Sequence, residues 1–158
     1  MAKKTIDVTL TSITNDGMRS VSPYGYIGAY SVRQADDEHV YESGILYDVD
    51  AGQPIHEGVL KLKPGESLTY NSTKRLSISH FGFSDGQNQM LLMESELRQH
   101  TIVTGGSNET FYFGGRKKVL FGELEAFSNF SMGYRAQYED NDFEFTANFT
   151  VTIISSSG

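Results

Sequence analysis

The chain has no cysteine and no tryptophan, only three prolines, and no long apolar run. Without cysteine there are no disulfides, no thiolate nucleophile and no Cys-ligated zinc. A signal peptide needs a continuous apolar stretch of about 7–15 residues close to the start. The opening Met1-Ala2-Lys3-Lys4-Thr5-Ile6-Asp7 alternates polar and apolar residues instead. No segment approaches the roughly 18 consecutive apolar residues of a membrane span. These absences predict the cytoplasm of the producing cell, or export by a route that reads no N-terminal signal. Positive charge is also scarce: 13 Lys and Arg stand against 20 Asp and Glu, for a formal net charge of −7. That balance argues against nucleic acid as a partner, because phosphate binding depends on a basic surface. The local basic run Arg116-Lys117-Lys118 follows a glycine pair and reads as a solvated loop beside a strand.

Catalytic signatures are missing as well. There is no nucleophile elbow, phosphate-cradling glycine loop, zinc-protease helix motif or dinucleotide fingerprint. The histidines His39, His56, His80 and His100 show no ligand spacing. Glu123 and Glu125 share a strand face, whereas glycoside hydrolysis needs carboxyls opposed across a cleft. The sequence therefore predicts a protein that is not an enzyme.

What is present is a period of two. Phe143, Phe145, Ala147, Phe149, Val151 and Ile153 alternate with Glu144, Thr146, Asn148, Thr150 and Thr152. Successive side chains of a strand point to opposite faces, so this pattern is a strand with one buried and one wet face. Ile6, Val8 and Leu10 repeat it near the start. Further runs at 24–32, 40–49, 59–62, 68–70, 76–83, 109–113 and 118–127 bring the set to about nine strands. Asp16-Gly17, Asp85-Gly86, Gly105-Gly106 and Gly114-Gly115 supply turn residues. Lys63-Pro64-Gly65-Glu66 reads as a turn with proline presetting φ and glycine in the left-handed position. Residues 87–98 place Met90, Met93 and Leu97 at three- and four-residue intervals, which suits a short helix, with a Met-rich strand as the alternative. The expected architecture is an all-β antiparallel sandwich, C2-like or jelly-roll, over residues 1–154, with 155–158 as a flexible tail. At 158 residues, such a domain buries roughly 70% of the surface of its unfolded chain and needs no staple.

Two clusters are candidate sites. Asp36-Asp37-Glu38 and Glu139-Asp140-Asn141-Asp142 both fall between expected strands. Calcium takes about six to eight oxygen ligands from flexible loops. If the two segments converge at one end of the sandwich, Asp36, Asp37, Glu38, Asp140 and Asp142 are the candidate ligands. The competing reading is that acidic residues populate turns because their side chains bond the local backbone. Tyr24, Tyr26 and Tyr30, with Tyr41 and Tyr47, suggest an aromatic face that stacks on sugars. The alternative is that tyrosine suits a half-buried sheet. Four of seven asparagines, Asn71, Asn108, Asn129 and Asn148, head Asn-X-Ser/Thr triplets; strand alternation accounts for part of that excess.

The runs Tyr24-Gly25-Tyr26-Ile27-Gly28-Ala29-Tyr30, Gly44-Ile45-Leu46-Tyr47-Asp48, Lys63-Pro64-Gly65-Glu66-Ser67 and Phe121-Gly122-Glu123-Leu124-Glu125, ahead of Glu139-Asp140-Asn141-Asp142, resemble C2-type calcium/lipid-binding sandwiches. The resemblance lies in a strand-and-loop rhythm across most of the chain, and it implies calcium aspartates in loops at one end. The aspartate spacing typical of that family is absent, so the resemblance bears chiefly on the fold. Three functions are compatible with the sequence. One is a non-catalytic binding or assembly module whose end loops, with calcium, engage a membrane surface or a protein partner. Another is a structural subunit of a homo-oligomer, virion or fibre, joined through terminal strands 6–10 and 143–153 at sheet edges. The third is a carbohydrate-binding domain.

Overall fold

In the computed structural model the described residues are 3–33, 36–49, 62–77, 89–102, 108–120, 124, 127–138 and 141–157. They form eight strands: β1 (Lys3–Asn15), β2 (Tyr24–Arg33), β3 (Asp36–Val49), β4 (Ser67–Ser77), β5 (Gln89–Ile102), β6 (Asn108–Leu120), β7 (Phe127–Tyr138) and β8 (Asn141–Ser157). Two four-stranded antiparallel sheets, ordered β4-β1-β8-β7 and β3-β2-β5-β6, pack face to face. The fold is the antiparallel sandwich that the alternation predicts, with eight strands in place of about nine.

The interior is built from the expected inward positions. Ile6, Val8 and Leu10 of β1 share one inner face with Phe143, Phe145, Ala147, Phe149 and Val151 of the neighbouring β8, all buried, with Val8 beside Val151 and Leu10 beside Phe149. A bulge between Leu10 and Ser12 adds Thr11 to β1. The extra residue changes the parity, so Ile13 and Asn15 rather than Thr14 point inward. Across the core, Phe111 meets Phe143 and Phe113 meets Phe145, each with ring centroids 4.9 Å apart. Truncating one of these rings to alanine costs about 3–5 kcal/mol.

Four expectations are corrected. The helix expected over 87–98 is strand at every described residue: β5 pairs with β2 over 89–98 and with β6 over 90–102, while 87 and 88 lie outside the described residues. Leu91, Met93, Ser95, Leu97 and Gln99 face the core, and Leu92 is buried as well. A central strand covered on parts of both faces blurs the period of two, and that imitates helical spacing. Gly114-Gly115 is not a turn but lies inside β6, opposite Glu96 and Ser95. A Cβ on Gly115 would sit 2.9 Å from Met132 Cε and 3.3 Å from Tyr134, so the glycine admits the facing strand. The terminal strands are not edges, since β1 and β8 are the middle pair of their sheet. Residues 155–157 continue β8, paired with β1 at Thr5, Lys4 and Lys3. The Lys63–Glu66 turn forms as expected, with Gly65 at φ +81° and Glu66 N donating to Lys63 O at 3.0 Å. Turns expected at Asp85-Gly86 and Gly105-Gly106 lie outside the described residues.

Candidate functional site

The strand directions decide which loops share an end of the sandwich. Chain leaving β1 at Asn15 reaches β2 at Tyr24 across residues 16–23, where Ser22 N donates to Gln99 Oε1 of β5. The turn at residues 63–66 and the start of β8 lie at this same end, because Asn15 N donates to Glu66 O and Asp16 N to Glu144 O. Asp36 instead opens β3 opposite Arg33, at the far end of β2. The 24–33 strand separates the two ends by about 30 Å at roughly 3.3 Å per residue. Asp36, Asp37 and Glu38 of β3 therefore stand at the opposite end from Asp142 of β8. Asp142 is joined to Arg135 by two hydrogen bonds of 3.2 and 3.1 Å across β7 and β8. Asp140 lies outside the described residues. Among the described residues no group of three or more His, Asp or Glu is placed to hold a metal ion.

The tyrosines are divided. Tyr24 packs against the core. Tyr47 is buried, with its hydroxyl donating to Pro23 O at 2.7 Å, and burial pushes its pKa well above the phenol range. Tyr26 and Tyr30 lie on the outer face of the β3-β2-β5-β6 sheet beside Glu94 and Glu96. Partial burial, followed by those carboxylates, raises both phenol pKa values. The Tyr30 ring covers Gly28, where a Cβ would sit 2.6 Å from the Tyr30 hydroxyl. Two rings remain for a sugar platform, with charged groups around them: Arg116 binds Glu94 at 2.9 Å and Arg98 stacks 5.4 Å over Tyr112. The side chain of Tyr41 lies outside the described residues, as do Glu123, Glu125, His56 and His80.

The outer face of the β4-β1-β8-β7 sheet, which the sequence did not single out, is a field of hydroxyls and carboxamides. Thr9 and Thr73 meet at 2.8 Å, Thr14 and Ser67 at 2.8 Å, and Asn148 Nδ2 donates to Ser12 Oγ at 3.1 Å. A shallow groove of about 290 Å³ crosses it, lined by Thr11, Asn129, Phe130, Ser131, Asn148 and Phe149. Charge gathers at the ends of this face, in the Asp7–Arg75 and Arg135–Asp142 pairs. The alternation Thr146-Ala147-Asn148-Phe149-Thr150 carried the signal, but only pairing order shows that four such rows lie side by side.

The remaining candidate surfaces are the sheet edges. β4 and β7 bound one sheet, and β3 and β6 the other. β3 carries Asp36, Asp37, Glu38, Glu42 and Asp48 with no lysine or arginine. β6 carries Arg116, Lys117 and Lys118 against Glu109 alone. The basic run expected in a loop is thus strand residues, and the Lys117 ammonium rests 5.6 Å over the Phe130 ring.

No protein-family model matches the chain, and no curated protein matches it. Among solved structures it is similar to the C2A domain of a plant extended synaptotagmin 1, at 12% identity and a TM-score of 0.45, over 98% of this chain and 97% of that one. The likeness is a weak one, of fold.

Proposed function

We propose that this chain is a non-catalytic assembly and binding module that takes up protein chain at the edges of its sheets. The carrying observation is the pair of long edge strands of one sheet, β3 with 14 residues and β6 with 13, whose outer edges no described strand covers. A row of unpaired N–H and C=O groups is a template for a further strand. Strand addition of this kind is a recurrent mode of protein recognition, with main-chain hydrogen bonds supplying affinity. Calcium-dependent loop docking on a membrane rests on acidic segments that share one end, and Asp36–Glu38 and Asp142 stand at opposite ends. Sedimentation velocity from dilute to concentrated solution tests the reading, with labelled peptides of the β3 and β6 sequences as probes. Species heavier than the monomer, or binding of an edge peptide, are expected. A strict monomer that binds neither peptide overturns it.

A second reading is carbohydrate recognition, favoured by the uncharged groove of Thr11, Asn129, Ser131 and Asn148 rather than by the tyrosines. Hydroxyl and carboxamide groups at fixed spacing suit the alternating donors and acceptors of a polyol. A glycan array without a hit retires it.

A further inference from the structure

The two edges of the β3-β2-β5-β6 sheet differ in sign, and we infer from this that the partner at each edge is a second copy of the chain, joined head to tail, β3 of one copy to β6 of the next. The inference rests on the strand-addition reading above and names its partner. β3 has five acidic residues and no lysine or arginine, while β6 has three basic residues and one acidic. In the other sheet neither edge strand carries an acidic residue, and Arg75 of β4 and Arg135 of β7 are ion-paired with Asp7 and Asp142 of their neighbours, so that sheet has no pair of edges of opposite sign.

Charged edges are commonly a defence against aggregation. Opposite signs on the two edges of one sheet protect only in part. They oppose β3 on β3 and β6 on β6, since like charges directly opposite are destabilising, and they favour β3 on β6. The polarity selects one mode of contact rather than preventing contact.

Direction and height agree with that mode. β3 is antiparallel to β2, β2 to β5, and β5 to β6, so β3 and β6 run in opposite directions. A neighbour displaced sideways within the sheet plane therefore presents β6 antiparallel to β3, the pairing used throughout the molecule. Lys118 lies on one row with Leu92, Tyr30 and Ser43, next to the row that holds Glu42. Asp36 lies on the row of Arg33 and Gln89, one step beyond Leu120. The basic triplet and most of the acidic residues thus occupy the same half of the sheet, and sideways displacement with a shift of a few residues brings them together. Such a contact is heterologous, so it extends into an open filament or closes into a ring. The usual twist of roughly 20–25° between adjacent strands makes a filament helical.

Charge reversal with mixing tests this. The variant Lys117→Glu with Lys118→Glu makes both edges acidic; the variant Asp36→Lys, Asp37→Lys, Glu38→Lys makes both basic. Circular dichroism and thermal melting of each alone establish that they fold. Wild type is expected to form a concentration-dependent series of species that shortens as salt is raised. Each variant alone is expected to be monomeric, and an equimolar mixture to regain the series. A wild-type assembly that stops at a dimer, or one that survives Lys117→Glu with Lys118→Glu, overturns the β3–β6 contact while leaving edge binding standing. Absence of any assembly together with no binding of either edge peptide removes both. If a variant does not fold, the β3 peptide takes its place: binding must weaken with salt and compete with assembly, and a peptide indifferent to both contradicts the inference.

Discussion

The hydroxyls of Ser95 and Tyr134 meet at 2.7 Å in the interior, one from each sheet. Both residues are 2% exposed. The Tyr134 ring stacks on Phe145 at 4.8 Å, and its approach to β5 passes over Gly115, where no side chain intervenes. This is a buried polar tie between layers whose described core is aliphatic and aromatic.

Removing the phenol hydroxyl in Tyr134→Phe leaves Ser95 Oγ with a 3.4 Å contact to Gly115 O. The expected loss is about 1–2 kcal/mol of stability, from a buried hydroxyl stripped of its better partner. The alkaline limb changes too. Burial pushes the Tyr134 pKa up to about 12, against about 10 in an unfolded chain. A raised folded-state pKa gives stability that is whole below the unfolded value and is lost as pH rises through the folded one. Melting temperatures of wild type should fall from about pH 10 toward pH 12, and those of Tyr134→Phe less steeply.

Two glycines are expected to respond in opposite ways. Gly25 has φ +121°, and a Cβ there would lie 2.1 Å from Glu96 O, a backbone atom that cannot step aside. Gly25→Ala should cost about 3 kcal/mol or more in denaturant titration. Gly133 has nothing within 4 Å of its would-be Cβ. Gly133→Ala should be neutral or stabilising by about 0.5 kcal/mol.

Asn15 is wholly buried and holds the β1–β2 connection. Its Nδ2 donates to Arg19 O at 2.7 Å and to Leu62 O at 3.0 Å, while its Oδ1 accepts from Gly17 N at 2.9 Å. Asn15→Asp keeps the shape and replaces both donors by a carboxylate facing two carbonyls. It should cost more than about 3 kcal/mol, beyond an ordinary lost hydrogen bond, and raise amide exchange across residues 16–22.

The alternating faces of β1, β2 and β8 were legible in sequence because each strand has one wet side. β5 was not, because Leu91, Leu92 and Met93 are all buried and interrupt the alternation that Glu94, Glu96 and Arg98 keep on the outer face. Gly114-Gly115 read as a turn because the space it provides is for Met132 and Tyr134, residues remote in sequence. The acidic segments read as loops between strands, yet Asp36, Asp37 and Glu38 open β3 and Asn141 and Asp142 open β8; which end each occupies follows from strand direction and pairing order. The same holds for the polarity of β3 and β6, whose charges are plain in sequence and acquire meaning only as opposite edges of one sheet.

Calcium should leave the melting temperature unchanged, since Asp36–Glu38 and Asp142 stand about 30 Å apart and Asp142 is paired with Arg135. A calcium-dependent rise abolished by Asp142→Asn would place a metal at the β7–β8 end after all.

Strand-resolved amide hydrogen exchange, in dilute and in concentrated solution, separates edge contact from every alternative surface. The central strands β1 and β8 should be protected at both concentrations, and β3 and β6 should gain protection as concentration rises. Protection gained at residues 16–23 or on the β4-β1-β8-β7 sheet, with β3 and β6 unchanged, would contradict it.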